Sequence, residues 1–561
     1  VERAILDELV VSPREGSRSA VFWQWRRWSP ALVAVVVASA CGGSSETKPD
    51  GVAANGGSAG SVDSAGRAGS GVNAGAGGAT AANSGGAGGT SGTSDAANGG
   101  SGGRAGGGGS TATAGTGGTA GGEAGVMGTM AGATGEPGSG AAAGASGETG
   151  SSCAFSSVAA SVSTTIGTVA TVTWALDGVV EQAHIDFGLD TSYGMTAPVD
   201  VGAINYATML LGMKPSLTYH YRVSARVGGL WCQDIDRTVD TGALPNDLPG
   251  HMVTTSSPRA LAGGYLISEF YQPKPFAFIL DADGDYVWAY DAGLGHANRA
   301  RMSPDGKYLW MVDTNVPLLT SHVVKVRMDG TDAQDLSDEF PDLEQDFLFT
   351  PDGTMYYLAW DSTVPPSEAG VKVMKHDPEG TTSEVVNLGS FFASGGNCPA
   401  LQYSLYDDTL LVTDISHTAL IKIARNGELV WILGGGSANS FTGDGATFTT
   451  RFNLDVLGPN HFLMFQNGTS SGTSASAVEV TLDTTQMTAK NGWQYVPDSP
   501  LNSVIFGDVQ HLPNGNVLVT FSASNVIHEI DGQNTVLQKI SFVDNLGYSI
   551  KLPSLYGPAP K

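Results

Sequence analysis

Six times in the C-terminal half of this chain, an apolar stretch opened by a tight turn is followed by a second stretch running into or out of a short hairpin. The opening stretches are GYLIS (264–268), PDGKYLWM (304–311), PDGTMYYLAW (351–360), YDDTLLV (406–412), GPNHFLMF (458–465) and PNGNVLVTF (513–521). Their partners include FAFILDADGDYVWAY (276–290), VKVMKHDPEG (371–380) and LIKIARNGELVW (420–431). Successive units begin about 40–56 residues apart. A repeat of that length built only from strands is one blade of a β-propeller, because one four-stranded sheet cannot bury both of its faces alone. The predicted fold class is therefore all-β: a six-bladed β-propeller over 244–561, with function sought around its central channel.

The rest of the chain divides by composition. From Trp28 to Phe155 no aromatic residue occurs, and 42–152 is nearly all Gly, Ala, Ser, Thr and Asn. Without large apolar groups to offset ordering entropy, this segment reads as a long disordered linker. As a Gly-rich coil it would span roughly 55–65 Å. Before it, Arg26 and Arg27 precede the short apolar run ALVAVVVASA (31–40), which ends at Cys41. That run is too short to span a bilayer and reads as a signal peptide over 1–41. The small residues before Cys41 resemble a lipobox, which makes Cys41 a lipidation site, the linker a tether, and the cell envelope (an outer-membrane lipoprotein) the expected location. A plain secretory signal is the alternative.

The chain carries 28 Lys and Arg against 54 Asp and Glu, a formal charge of −26. This excludes nucleic acid as a partner and disfavours anionic membrane surfaces. Of the four cysteines, Cys153 and Cys232 bracket one small domain and are expected to pair in an oxidising compartment, whereas Cys398 is expected to stay free. No metal or cofactor is called for. The segment Asp281-Ala282-Asp283-Gly284-Asp285 offers clustered hard oxygens but lies in a hairpin, so it reads as a turn.

Residues 153–243 alternate in the strand period, with turn signals about every ten residues. The stretch LLGMKPSLTYHYRV (210–223) resembles the tyrosine corner of fibronectin type III domains, and Trp174 stands where such sandwiches bury an aromatic. A fibronectin-like β-sandwich that spaces or orients the propeller is the expectation.

Within the propeller, ILDADGDYVWAY (279–290), IKIARNGELVWILGG (421–435), HFLMFQNG (461–468), GDVQHLPNGNVLVTF (507–521) and LGYSIKLPSLYGP (546–558) together resemble the arylsulfotransferase family of bacterial β-propellers. The resemblance implies sulfuryl transfer from an aryl sulfate to a phenolic acceptor, with a channel histidine as nucleophile. Arginine, further histidines and asparagine would steady the equatorial oxygens. This sequence departs from the pattern at those positions. Counting from Gln466-Asn467-Gly468 places Phe452 at the nucleophile, and counting from Trp431 places Asn397 and Ile415 at a histidine and the arginine. The remaining candidates are His296, Arg301, Arg451 and His511, with Asn298, Arg299, Gln345, Asp346 and Cys398 nearby in sequence or in the matching stretch of another blade. Two readings stay open. One is an enzyme of arylsulfotransferase type; the other is a non-catalytic propeller that binds a small molecule or a protein. In the second, the hub has kept its shape but shed most of its nucleophilic and cationic groups.

Overall fold

The structure is a computed structural model. It describes residues 154–557 except 204, 261–263, 316–319, 364–369, 393–395, 450 and 469–472. The expectations for Cys41, the signal peptide, the linker and Cys153 lie outside the described residues.

The first eight strands form two facing sheets. β1 (Phe155–Val162), β2 (Ala170–Leu176) and β5 (Tyr206–Leu210) make one; β3 (Val180–Gly188), β4 (Met195–Pro198), β6 (Thr218–Val227), β7 (Leu230–Gln233) and β8 (Arg237–Asp240) make the other. The alternation of β2 and β6 puts Val172, Trp174, Tyr219, Tyr221 and Val223 into the shared core. The backbone N–H of Lys214 donates to Tyr219 Oη at 2.8 Å, which ties the turn before β6 to the strand. Cys232 is disulfide-bonded, and Cys398 is free and buried.

β9 (His251–Ser256) leads into the propeller. Blade 1 holds β10 (Tyr265–Gln272), β11 (Phe276–Leu280) and β12 (Tyr286–Asp291). Blade 2 holds β13 (Arg299–Met302), β14 (Tyr308–Asn315), β15 (Thr320–Arg327) and β16 (Gln334–Asp335); blade 3 holds β17 (Leu343–Phe349), β18 (Met355–Trp360), β19 (Val371–His376) and β20 (Thr382–Asn387). Blade 4 holds β21 (Ala400–Ser404), β22 (Thr409–Asp414), β23 (Ala419–Ala424) and β24 (Leu429–Gly434); blade 5 holds β25 (Arg451–Gly458), β26 (His461–Gln466), β27 (Ser476–Asp483) and β28 (Thr488–Tyr495). Blade 6 holds β29 (Asp508–His511), β30 (Val517–Phe521), β31 (Val526–Ile530) and β32 (Val536–Phe542). The last strand, β33 (Asn545–Leu552), returns to pair with β10 and completes blade 1, while β9 adds to the outer edge of blade 6 through β32.

The ring is therefore closed by both ends of the propeller chain. The innermost strands β13, β17, β21, β25, β29 and β33 touch in that order, and β33 touches β13 again. Six apolar cores fill the seams between neighbouring blades. The six-bladed all-β expectation is borne out, with one correction of phase. The six opening stretches read from the sequence are the second strands of their blades. Those strands are covered on both faces by neighbouring blades, so they are buried along their whole length and rich in apolar residues, as in β18 (MYYLAW) and the Leu-Leu-Val centre of β22 (TLLVTD). The innermost strands are short and polar, as in β13 (RARM) and β29 (DVQH), and so carry no hydrophobic signature.

The sandwich packs onto the propeller. Ile166, Val169 and Leu211 join the seam between blades 1 and 2, and Tyr556 Oη accepts from the Leu211 backbone N–H at 2.8 Å. The Lys214 ammonium meets Asp281, Asp283 and Asp285 at 3.2, 2.8 and 2.6 Å. The acidic hairpin is thus a turn, closed by Gly284 at φ +89°, whose carboxylates clamp a lysine of the sandwich.

Candidate functional site

Strand direction defines the two ends of the channel. Each innermost strand begins at one end, here the entry mouth, and finishes at the other. The hairpin 281–285 and the turns at Gly306 and Gly330 lie at the exit end, where the sandwich is docked. The entry mouth is on the opposite face.

Just inside the entry mouth, the hub is filled by an ionic network. Arg299 Nη2 donates to Asp346 Oδ2 at 2.9 Å, its Nε lies 2.9 Å from Asp346 Oδ1, and Nη1 donates to Asp508 Oδ2 at 3.1 Å. Arg301 Nη2 donates to Asp346 Oδ1 at 3.1 Å. The Arg299 guanidinium also lies 3.7 Å from the centre of the Tyr548 ring, whose hydroxyl crosses to the Pro399 carbonyl at 3.1 Å. Asn453 donates through Nδ2 to Asp508 Oδ1, and its Oδ1 accepts from Gln402 Nε2 at 3.1 Å. Every residue of the core of this network is buried: Arg299 is 3% exposed, and Asp346 is wholly covered.

Burial drives the electrostatics. It pushes the Asp508 carboxyl up to about 6, with Arg299 and Arg301 restraining the rise. It pushes Glu269 well above the carboxylate range, against the pull of Arg299 and of backbone N–H donors from Tyr548 and Ala300. Burial opposes the charge on Arg299, but Asp346 and Asp508 outweigh it and raise its pKa. The expectation that the hub has shed most of its cationic groups is therefore narrowed: the guanidinium groups of Arg299 and Arg301, both among the sequence candidates, occupy it. Arg299 is spent on Asp346 and Asp508, whereas Arg301 makes one hydrogen bond, to Asp346, and its Nε is buried without a partner.

The entry mouth above this plug has two sides. One is aromatic. His296 stacks on Tyr271 with ring centres 4.9 Å apart, Tyr271 meets Phe506 at 5.0 Å, and Phe506 meets Tyr548 at 5.3 Å. Asn467 Nδ2 holds the Phe506 loop through the carbonyls of Ser503 and Phe506. His296 Nδ1 lies 3.6 Å from Asp313 Oδ1.

The other side is an arc of oxygen acceptors across blades 2 to 4. Asp313 Oδ1, both carboxyl oxygens of Glu344, Gln345 Oε1 and Asn397 Oδ1 are buried without a well-formed hydrogen bond. Gln345 sits at φ +50°, within an irregularity of β17, and its N–H is anchored on Thr314 Oγ1 at 3.1 Å. Burial raises Glu344 well above the usual range, the Cys398 backbone N–H works against the rise, and Asp414 adds to it. Burial likewise pushes the Cys398 thiol up, so it is held as an unreactive thiol. Asp414 Oδ2 accepts from His417 Nδ1 at 2.6 Å, and His417 stacks on Phe392 at 4.0 Å.

The residues named from the sequence fall in distinct places. Asn397 and Ile415 come together at the entry mouth, where the Ile415 N–H donates to the Asn397 carbonyl at 2.9 Å. Arg451 and Phe452 open β25 at that same end; their side chains lie outside the described part. His296 is at the mouth, and Arg301 is in the buried network. His511 ends β29 at the exit end, away from His296, and its N–H donates to Asp455. Tyr271, Asp313, Glu344, Phe506, Asp508 and Tyr548 were not singled out. For the hub the missing signal was spacing: Arg299, Asp346 and Asp508 each stand nine residues before the first residue of their blade's second strand.

Residues 397–542, from the approach to blade 4 to the end of blade 6, match the arylsulfotransferase (ASST) family model, which bears out the resemblance over that stretch. Among solved structures, a protein of unknown function from Bacteroides caccae is similar at 11% identity, with a TM-score of 0.35, covering 52% of this chain and 98% of its own. A structural genomics protein of unknown function from Bacteroides thetaiotaomicron is similar at 13% identity, TM-score 0.34, with 70% and 99% covered. An auxiliary nutrient binding protein from the same organism is similar at 10% identity, TM-score 0.32, with 70% and 98% covered. Nothing among the curated proteins matches the chain.

Proposed function

We propose that this chain is a propeller of arylsulfotransferase type that binds a small aromatic molecule at its entry mouth and does not carry out the family's sulfuryl transfer there. One observation carries this reading: the arc of buried acceptor oxygens on Asp313, Glu344, Gln345 and Asn397. A sulfuryl group in transfer spreads negative charge over its oxygens and needs donors and fixed positive charge around it. An ionised carboxylate at ~6 Å opposes such a group by about 3 kcal/mol at an effective dielectric of ~20; Glu344, which burial holds toward its neutral form, adds no such charge. The guanidinium groups beneath are already neutralised by Asp346 and Asp508. The aromatic side, Tyr271 with His296 and Phe506, supplies a stacking surface for a phenol-like ring. The sequence alone supports the setting, a cell-envelope protein anchored through Cys41.

A second reading has its own observation. His296 is an imidazole at the mouth with a carboxyl group close to Nδ1, an arrangement that orients Nε2 for nucleophilic attack. The two separate in one assay. The protein and its His296→Ala variant are given 4-nitrophenyl sulfate with excess phenol, and thermal unfolding is followed with 4-nitrophenol. Binding without transfer gives no phenol-dependent colour, and a melting shift that Tyr271→Ala removes. Phenol-dependent release that disappears in His296→Ala overturns this reading in favour of the enzyme.

A further inference from the structure

We propose that the crevice where the sandwich meets blade 1 is a second binding site, built for a small cationic amine with an apolar body. A cavity of about 340 Å³ opens there, at the exit end and away from the entry mouth. That volume is in the range of small-molecule sites, and junctions between domains are a preferred place for them. Leu189, Tyr193 and Met195 from the β3–β4 hairpin form one wall, and Tyr219 and Tyr265 form the opposite one. The lining is thus mainly aromatic and apolar, with charge gathered at one end.

That charge is what selects the ligand. Lys214 lines the cavity, but its ammonium is held by three carboxylates, Asp281, Asp283 and Asp285, so the group as a whole is acidic. Asp283 lines the cavity with its side chain 77% exposed, and Asp190 adds a further carboxylate, fixed by the Ser192 N–H on Oδ1 at 2.8 Å. An anion entering here meets uncompensated negative charge, and a neutral ligand forgoes it. A cationic amine is attracted by Asp283 and Asp190 and by the ring of Tyr265, while its apolar part covers Leu189 and Met195; the Tyr193 ring already has the Arg222 guanidinium 4.9 Å from its centre. The position of Lys214 explains why the amine belongs in the cavity and not between the three aspartates: the ammonium of the protein already fills that place.

The test is titration calorimetry of the full chain with tyramine and with 4-hydroxyphenylacetate, which share a ring and differ in the sign of the end group. Tyramine is expected to bind saturably and at least about tenfold more tightly than the acid. Asp283→Asn is expected to weaken tyramine about three- to fivefold, roughly 1 kcal/mol by the same conversion. Leu189→Trp, at a position 55% exposed that fills the cavity without touching the core, is expected to remove the advantage of tyramine over the acid, with the circular dichroism unchanged and phenol binding at the entry mouth kept. Equal binding of the two compounds, or tyramine binding untouched by Leu189→Trp, overturns the proposal. So does tyramine binding lost in Asp313→Asn, which would put the amine at the entry mouth. Failure here leaves the 4-nitrophenol result at the mouth as it stands.

Discussion

Replacing Arg299 by methionine tests the hub directly. The side chain is 4% exposed, contacts Asp346 through two nitrogens and Asp508 through a third, and lies 3.7 Å from the Tyr548 ring centre. Methionine keeps much of the volume but leaves two carboxyl groups buried without their main counter-charge. Breaking a buried pair from one side costs about 3–5 kcal/mol, and the lost stacking on Tyr548 adds about 1 kcal/mol. Arg301 and the backbone donors of Phe347 and Leu401 still serve Asp346, which keeps the figure near the lower bound. The cost depends on pH. Asp508 already titrates at about 6 with the guanidinium present, and without it the pKa rises further. Protonation then relieves the strain, by about 1.4 kcal/mol for each pH unit below that pKa. Urea unfolding followed by tryptophan fluorescence at pH 8 and pH 5 measures both effects. The expected loss is about 4 kcal/mol at pH 8 and clearly less at pH 5, with Arg299→Lys intermediate. A loss under about 1 kcal/mol at pH 8, or one independent of pH, would refute the view that this guanidinium neutralises the hub.

Further outcomes follow from the same geometry. The folded pKa of Asp508, about 6, lies above its ordinary 3.8. The folded state therefore binds the extra proton, and this group's stabilising share, roughly 3 kcal/mol, is lost as pH rises from ~4 to ~6. His528 has the opposite sign. Burial lowers it from 6.5 to about 4, so its share is present above ~6.5 and lost as pH falls through ~4. The two slopes oppose each other in the wild type; Asp508→Asn is expected to leave a stability curve that rises with pH across this window, and His528→Asn one that falls, by urea midpoints. Lys214→Ala removes the shared counter-ion of Asp281, Asp283 and Asp285, all partly solvated, and should cost about 1–2 kcal/mol. Millimolar calcium should restore the melting temperature of that variant and leave the wild type unmoved, because its three hard oxygen ligands are then open.

The blades were legible because the second strands are apolar on both faces, and β14, β18, β22, β26 and β30 all lie within or overlap the stretches read from the sequence. The hub was less so. A strand such as Leu343-Glu344-Gln345-Asp346 shows no alternation, since its side chains answer to one another across the channel rather than to an apolar core. Arg299 and Asp346 stand 47 positions apart in the chain, and Arg299 and Asp508 stand 209 apart. No local pattern announces a pair of that separation. The expectation of a stripped hub arose from comparing three positions, Asn397, Ile415 and Phe452, with a family pattern. That comparison was blind to cations arriving from blade 2. The aromatic side was hidden for a related reason: Tyr271 lies at the end of β10, His296 and Phe506 come from two separate connections, and only ring closure brings Phe506 to the other two.

The most direct test of binding without transfer is intact-mass spectrometry of the protein after incubation with 4-nitrophenyl sulfate and no acceptor. The expected spectrum shows the unmodified chain alone, while 4-nitrophenol still shifts the melting temperature. A sulfuryl adduct that maps to His296, and that clears when phenol is added, would contradict it.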